Sequence, residues 1–272
     1  MIDFIKAEKA FKQYLKQYDL EDGKNKLKVI HTYEVVRMSE YIATKLGLSE
    51  EDVQVAKLIA LLHDIGRFEQ VKLTEGFIDN NKFDHADYGA EMLFKQGMIR
   101  QFVEEDKYDN IIEKAIYNHN KLKIEDGLNE KEFIQCQIVR DADKIDNFRV
   151  SEKDPIGDVL ACPYNSETIE YDTISPNVFE SFMNHSLIRN ADRETMIDYW
   201  ICIIAFIFDL NFDVSLQYIK ENAYIDKIID RINYKNPETK QKIEQIKEGV
   251  KKYENINRNK KSGKNRRGKT CI

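Results

Sequence analysis

Apolar residues recur at intervals of three and four along almost the whole of this 272-residue chain. That spacing is the period of an α-helix with one apolar face, and it predicts helices rather than strands. The chain has only four prolines and 11 glycines, which argues against a β-sandwich with its many tight turns. Its charged fraction of 33% fits helices that each keep one solvated face. We therefore predict an all-α fold, a helical bundle with additional C-terminal helices.

The periodic segments divide into successive predicted helices, over residues 3–18, 28–46, 50–63, 85–96, 105–119, 130–148, 176–187, 192–209, 213–232 and 237–254. We expect Gly47 to end the second helix, Ser49 to cap the third and Gly66 to end it. A break near residue 222 is expected within 213–232. Two connections should be irregular. Residues 66–83 are rich in Gly, Asn and Asp, and residues 149–175 hold two prolines and are expected to form a long loop or a small lid.

A single domain is predicted over residues 1–255, with its core at about 20–150 and a C-terminal helical extension at about 175–255. Residues 256–272 are basic and are expected to form a disordered tail. The net charge is −6, yet the stretch from Lys251 onward holds nine Lys and Arg against one acid, so the remainder carries −14. A body this acidic is a poor nonspecific nucleic-acid binder, and any such contact is expected only through the tail.

The four cysteines form no C-x-x-C pair, and their usage is typical of a reducing compartment. The N-terminal segment is charged and amphipathic, without the apolar stretch of a signal peptide. The longest apolar stretch, residues 199–208, is much shorter than the roughly 20 residues that a membrane span needs. We expect a cytoplasmic protein without a membrane span, and the sequence does not indicate an oligomeric state.

Four of the five histidines fall, with two aspartates, in one order along the chain: His31, His63, Asp64, His85, His119 and Asp143. Imidazole and carboxylate together hold divalent transition metals, and imidazole favours Mn, Fe, Co, Ni or Zn over Mg or Ca. A single histidine in an apolar helix is more often a hydrogen-bonded core residue than a ligand. The adjacent pair His63 and Asp64 favours a metal site, because buried polar groups are costly unless paired or metal-bound. His185 has no such context and is predicted to be structural or exposed.

This order is compatible with two metal ions that share one carboxylate. The expected ligands of the first ion are His31, His63, Asp64 and Asp143. The expected ligands of the second ion are Asp64, His85 and His119. Asp64 can serve both ions because a carboxylate has two oxygens, whereas an imidazole serves only one. Asp141 competes with Asp143 as a ligand, and it could instead orient an imidazole.

A phosphorylated substrate would need cationic side chains beside the metals. The candidates are Arg67, Lys72, Lys121, Arg140, Lys144 and Arg149. We expect Arg67 and Lys144 to have this role, because Arg67 lies three residues after Asp64 and Lys144 is adjacent to Asp143. The sequence has no glycine-rich phosphate loop, no G-x-S-x-G motif and no plausible cysteine nucleophile. A metal-activated water is therefore the expected attacking group.

The segment 61–66, Leu-Leu-His-Asp-Ile-Gly, has a histidine upstream and the triplet Ala-Asp-Lys downstream at 142–144. This pattern resembles the HD superfamily of metal-dependent phosphohydrolases, over roughly residues 25–150. The resemblance implies an all-α fold and hydrolysis of phosphomonoesters, phosphodiesters or nucleotides. It favours Asp143 over Asp141 as the ligand, since Asp143 takes the Ala-Asp position. His85 and His119 resemble the additional histidines of the dinuclear branch.

Three branches of that superfamily fit poorly. No Gly-Tyr-Pro follows His119, as in the cyclic-dinucleotide phosphodiesterases, and Asp64 is not followed by the Glu-Asp pair of the alarmone hydrolases. The Gly-His-rich signature of the deoxynucleotide triphosphohydrolases is also missing. The pattern therefore indicates an HD hydrolase of a small phosphorylated substrate or nucleotide. Two alternatives stay open: an HD-type diiron oxygenase with the same ligand order, and a non-catalytic, metal-stabilised regulatory module.

Overall fold

The computed structural model describes residues 2–74, 79, 83–160 and 165–264, and no β-strand forms among them. The chain divides into two compact units, Met1–Asn147 and Phe148–Ile272. The all-α prediction is confirmed. In the part of the chain that the structure describes, no helix combines the length and the apolar character that a membrane crossing requires.

The first unit is built from α-helices, and all of them except the fourth overlap predicted helices. They are α1 (Phe4–Leu15), α2 (Gly23–Lys45), α3 (Glu50–Leu62), α4 (Ile65–Thr74), α5 (His85–Ala90), α6 (Asp109–Asn118) and α7 (Glu130–Lys153), the last of which continues into the second unit. Polar side chains cap several of them, because an oxygen just before a helix accepts from its first free N–H groups. Asp22 caps α2, Ser49 caps α3 and Asp84 caps α5.

Helix α3 is the centre of the first unit. Residues 58–62, its last five, are completely buried, as the nearly uniform apolar sequence predicts. The helix packs against α2, and it also contacts α1 and α6. Burying each Leu or Ile side chain contributes about 1.5–3 kcal/mol before the cost of ordering is subtracted. Because α3 ends at Leu62, the next two residues, His63 and Asp64, lie at the inner end of a buried helix.

The prediction of an irregular connection over 66–83 is wrong for its first part, because α4 covers Ile65–Thr74. Gly66 does not end a helix. It allows α4 to approach α5, since a Cβ at this position would lie 2.4 Å from the carbonyl oxygen of His85 and 3.0 Å from the amide nitrogen of Gly89. The interruption after α3 lies instead at His63 and Asp64. Residues 75–78 and 80–82 of the predicted connection lie outside the described residues.

The second unit contains α8 (Ile156–Val159), α9 (Pro176–Met183), α10 (Met196–Ala205), α11 (Asp213–Glu221), α12 (Tyr224–Asp230) and α13 (Pro237–Lys264). Its core includes Trp200 of α10, whose indole N–H donates to the carbonyl of Ile228 at 3.3 Å. The predicted break near residue 222 is confirmed. Ala223 takes a left-handed φ of 51° there, which separates α11 from α12.

The two least periodic stretches contain more helix than predicted. In 149–175, the end of α7, the short α8 and a 3₁₀ turn at Ser166–Thr168 occupy much of the expected loop, and residues 161–164 lie outside the described part. Helix α13 continues to Lys264, past its predicted end at 254. It overlaps the predicted disordered tail, whose last residues, 265–272, are not among those described.

Candidate metal centre

The predicted ligands come from separate places in the sequence, and all of them lie in the first unit. His31 is on α2, His63 and Asp64 connect α3 to α4, and His85 is the first residue of α5. His119 follows the last residue of α6, and Asp143 is on α7. Helix ends therefore supply most of the set, and the close approach of α4 to α5 at Gly66 helps to place His85.

Asp64 lies at the centre of these side chains, and each of its oxygens faces two imidazoles. Its Oδ2 atom is 3.6 Å from Nε2 of His31 and 3.6 Å from Nε2 of His63. Its Oδ1 atom is 3.2 Å from Nε2 of His85 and 3.6 Å from Nε2 of His119. The cluster thus has two halves, which we call the Oδ2 half and the Oδ1 half.

Asp143 belongs to the Oδ2 half. Its Oδ1 atom is 3.1 Å from Nε2 of His31 and 4.0 Å from Nε2 of His63. The approach to His31 is within ion-pair distance but lacks the geometry of a hydrogen bond. Asp141 is buried two residues earlier on α7, and helical residues two apart do not share a face. This placement favours Asp143 as the ligand.

Two of the four imidazoles are anchored on main-chain carbonyls. Nδ1 of His63 donates to the carbonyl oxygen of Ala60 at 2.7 Å, and Nδ1 of His119 donates to that of Ile116 at 2.6 Å. A carbonyl only accepts, so each Nδ1 carries the proton in the neutral ring. The lone pair is then on Nε2, which points at Asp64.

The other two imidazoles are anchored on carboxylates. Nδ1 of His31 lies 2.7 Å from Oδ2 of Asp146, and Nδ1 of His85 lies 2.7 Å from Oδ2 of Asp79. A carboxylate that accepts from Nδ1 fixes the orientation of the ring and makes Nε2 a stronger metal ligand. All four rings therefore present Nε2 to the same central carboxylate.

This arrangement fits bound metal ions. Nε2 of His85 and Nε2 of His119 are only 2.9 Å apart, and two lone pairs at that distance repel unless a proton or a cation lies between them. Nε2 of His31 and Nε2 of His63 are buried and have no hydrogen-bond partner. Two groups of ligand atoms, each within 4.8 Å of one another, share Asp64: one with His31 and His63, the other with His85 and His119. Buried imidazole nitrogens around a carboxylate are a donor set for transition metals.

Burial and neighbouring carboxylates act in opposite directions on the histidines. Burial lowers the pKa of His63 to about 4 and also lowers the pKa of His119, so both rings are neutral at pH 7. Burial also disfavours the charged form of His31, but the neighbouring carboxylates of Asp143 and Asp146 outweigh it and raise the pKa to about 9. A metal ion at Nε2 of His31 must therefore displace a proton.

Two cations flank Asp64, one on each oxygen. Nζ of Lys28 is 2.7 Å from Oδ2, and Nε of Arg67 is 3.6 Å from Oδ1. Burial alone would raise the pKa of Asp64, but the charge of Lys28 holds it well below its usual range. The Arg67 guanidinium also binds the Asp79 carboxylate at 3.1 and 3.2 Å and the side-chain oxygen of Gln70 at 2.6 Å. Arg67 thus connects Asp64 to the carboxylate that anchors His85.

Lys144 and Arg140 are placed differently from Arg67. Lys144 is buried, with Nζ 3.5 Å from the carbonyl oxygen of Arg140, and its predicted contact with substrate stays a prediction. Arg140 is buried too, and it donates to the carbonyl oxygens of Asn118 at 2.9 Å and His119 at 3.4 Å. It therefore binds the C-terminal end of α6 and helps to hold His119 in position.

The remaining predicted cations form ion pairs or belong to the other unit. Lys121 pairs with Asp84 at 2.8 Å and Asp87 at 2.6 Å, and the exposed Lys72 pairs with Glu69 at 3.3 Å. Arg149 is part of the second unit. His185, predicted to lie outside the ligand set, is also in the second unit. It has a left-handed φ of 55° and packs against the rings of Phe208 and Tyr253.

Sequence reasoning missed three side chains of this site: Lys28, Asp79 and Asp146. Two of them follow a rule that could have found them. Lys28 lies three residues before His31 and Asp146 lies three residues after Asp143, and residues three apart share one face of a helix. Asp79 lies in the segment between α4 and α5. The sequence there has no helical periodicity that would indicate which way its side chain points.

Comparisons with known proteins agree with this geometry. Residues 29–147 match the family model of the HD domain, a span that begins two residues before His31 and ends four residues after Asp143. No curated protein and no solved structure matched the chain. The matched span contains both halves of the cluster.

Proposed function

We propose, from the premise that residues 29–147 are an HD domain, that this chain is a phosphohydrolase that uses divalent transition metals. One observation carries the proposal. Each oxygen of Asp64 faces two buried imidazoles. Their Nδ1 atoms are already hydrogen-bonded to other groups, so all four Nε2 atoms point at Asp64. The proposed substrate is a phosphate ester or a nucleotide, and the proposed attacking group is water.

In this proposal, two ions divide the ligands between the halves of the cluster. The Oδ2 half would hold one ion through His31, His63, Asp64 and Asp143. The Oδ1 half would hold the other through Asp64, His85 and His119. Bound divalent ions supply positive charge to phosphoryl oxygens and lower the pKa of a coordinated water.

The chain itself contributes orientation, exclusion of solvent and a path for the substrate. The four imidazoles are at most 4% exposed, so the ligands are shielded from bulk water. The side chains of Lys28, Arg67, Asp79 and Asp143 are more accessible, at 17%, 14%, 26% and 20%. In this proposal, the substrate approaches from the side of these four. Arg67 offers a guanidinium there, and planar guanidinium groups bind phosphate oxygens well.

Hydrolysis of a substrate panel tests the proposal, measured as release of the aryl alcohol, of phosphate or of pyrophosphate. The protein is prepared with Mn, Fe, Co, Ni or Zn and assayed with aryl phosphomonoesters, aryl phosphodiesters and nucleoside mono-, di- and triphosphates. We expect His63→Ala and Asp64→Ala to abolish release while the helical circular dichroism is retained. His185→Asn is the matched control, because it changes a histidine outside the site and asparagine tolerates a left-handed φ. Full activity of either site variant would refute the proposal.

The same preparations separate the two alternatives left open by the sequence. Consumption of O₂ with a polyol or phosphonate, without phosphate release from any ester, would replace hydrolysis by a diiron oxygenase. Binding of metal with neither activity across the whole panel would favour a regulatory module. Phosphate release that requires the metal and is lost in His63→Ala would exclude both.

A further inference from the structure

Lys28 is the nearest cation to the shared carboxylate. It lies one helical turn before His31 on α2, and its Nζ atom is 2.7 Å from Oδ2 of Asp64. That oxygen also faces the Nε2 atoms of His31 and His63. The ammonium group therefore supplies a positive charge at the same carboxylate oxygen that the proposed first ion would use.

The surroundings of Lys28 differ from those of the ligands. The side chains of His31, His63 and Asp64 are no more than 4% exposed, whereas that of Lys28 is 17% exposed. Asp143, the other accessible member of the Oδ2 half, is 20% exposed. Lys28 therefore lies on the open edge of the cluster, between the buried ligands and solvent.

We propose that Lys28 is a substrate-binding residue whose ammonium group binds the phosphoryl group in the metal-loaded protein. This inference rests on the proposed function. A divalent ion held by Asp64 would neutralise the carboxylate and would repel the Lys28 ammonium group, because like charges a few ångströms apart interact strongly where little water separates them. Lysine has a flexible four-carbon stem and three donors, so it can exchange a carboxylate partner for an anion at the open edge.

Arg67 does not duplicate this role. It lies on the Oδ1 half, and its guanidinium is bound to Asp79 and Gln70. Lys28 thus adds a cation on the other side of Asp64. A point charge at this edge favours a phosphoryl group with two negative charges over one with a single charge. The inference therefore predicts a preference for phosphomonoesters or terminal phosphates over phosphodiesters.

Three variants test the inference. Lys28→Met removes the charge and keeps the length of the side chain, and Lys28→Arg keeps a charge. Lys26→Met is the matched control, because Lys26 is an exposed lysine of the same helix two positions away, on a different face. The probes are inorganic phosphate, titrated by calorimetry into Mn-loaded protein, and a pair of aryl phosphomono- and phosphodiesters. Bound manganese is measured for every variant.

We expect Lys28→Met to keep its manganese and to bind inorganic phosphate about ten- to hundredfold more weakly, the range for a lost hydrogen bond to a charged group. Its KM should rise more for the monoester than for the diester, Lys28→Arg should recover part of the affinity, and Lys26→Met should behave as wild type. If Lys28→Met does not fold, Lys28→Gln replaces it.

Two results would overturn the inference. Unchanged phosphate affinity at full manganese content would show that Lys28 only neutralises Asp64. Loss of manganese in Lys28→Met and Lys28→Gln would show that it supports the metal ligands. Failure of the proposed function looks different, because the wild-type protein would then release no phosphate from any ester, whereas the calorimetric comparison would still measure the contribution of Lys28 to phosphate binding.

Discussion

Replacing Gly66 by alanine should separate loss of one metal site from loss of the fold. A Cβ at this position would lie 2.4 Å from the carbonyl oxygen of His85 and 3.0 Å from the amide nitrogen of Gly89. Both neighbours are backbone atoms, so no flexible side chain can move aside. Helices α4 and α5 must therefore move apart, and α5 begins with a ligand of the Oδ1 half.

The structure gives the size of this movement. The Cβ needs a further 0.6 Å to reach 3.0 Å, the lower limit of real Cβ contacts, and 1.0 Å to reach ordinary contact at 3.4 Å. Metal–nitrogen distances tolerate only about 0.2 Å of error. A displacement of His85 by several tenths of an ångström therefore weakens the second ion greatly. Overpacking of this kind costs about 1–3 kcal/mol of unfolding free energy, so the melting temperature of the metal-free protein should fall by several degrees.

The assay is the metal content of protein loaded with manganese and then passed through a desalting column. We expect about two ions per chain in wild type and about one in Gly66→Ala. Two other glycines complete a graded series. A Cβ at Gly23 meets nothing within 4 Å, and one at Gly89 meets the Ile65 side chain at 3.3 Å, so Gly23→Ala should keep both ions and Gly89→Ala should be intermediate. Two tightly held ions in a folded Gly66→Ala protein would refute the reasoning, and so would equal weakening of both sites.

Three further predictions address the anchors of the cluster. Asp79→Asn should weaken the second ion about 10- to 100-fold, because it removes the carboxylate behind His85, and metal titration should show the first ion unchanged. Arg140→Met should lower the unfolding free energy in urea by about 1–3 kcal/mol, because carbonyls at the end of α6 lose their donor. The metal-free protein should be most stable near pH 6.5. Below pH 6.5, His63 is protonated in the unfolded chain but stays neutral in the folded protein, where its pKa is about 4. The melting temperature should therefore fall towards pH 4. Above pH 6.5, the stabilising proton of His31, whose pKa is about 9, is lost as pH rises towards 9. His63→Gln should flatten the acid side of that profile.

Most of the fold could be predicted because periodic apolar patterns report buried helix faces. The uniformly apolar end of α3 is typical of a buried helix, and the capping residue Ser49 marked the start of that helix. Gly66 misled the prediction, because a glycine that stops a helix and a glycine that lets two helices approach look alike in a single sequence. The difference depends on a contact with α5, about 20 residues further along the chain.

The candidate ligands could be identified because histidine is scarce in this chain and four of the five occur in one ordered pattern. Their grouping around Asp64 depends on helix packing, which sequence spacing does not encode. The side chains that contact the candidate ligands, Lys28, Asp79 and Asp146, were harder to predict. Asp146 and Lys28 share helix faces with ligands, but a chain with 48 acidic and 42 basic residues offers many such pairs. Asp79 lies outside any helix, and only its distance from His85 identifies it.

The four imidazoles of the cluster differ in how easily a mutation can remove the group to which Nδ1 is hydrogen-bonded. His63 and His119 donate to main-chain carbonyls, which persist whatever side chain mutation places at those acceptor positions. The rings of His31 and His85 depend on carboxylates that one nucleotide change can remove. Each half of the cluster therefore combines one mutationally robust imidazole with one adjustable imidazole. If each half holds a metal ion as proposed, a single exchange at an anchoring carboxylate would change the metal preference of that half without losing a ligand.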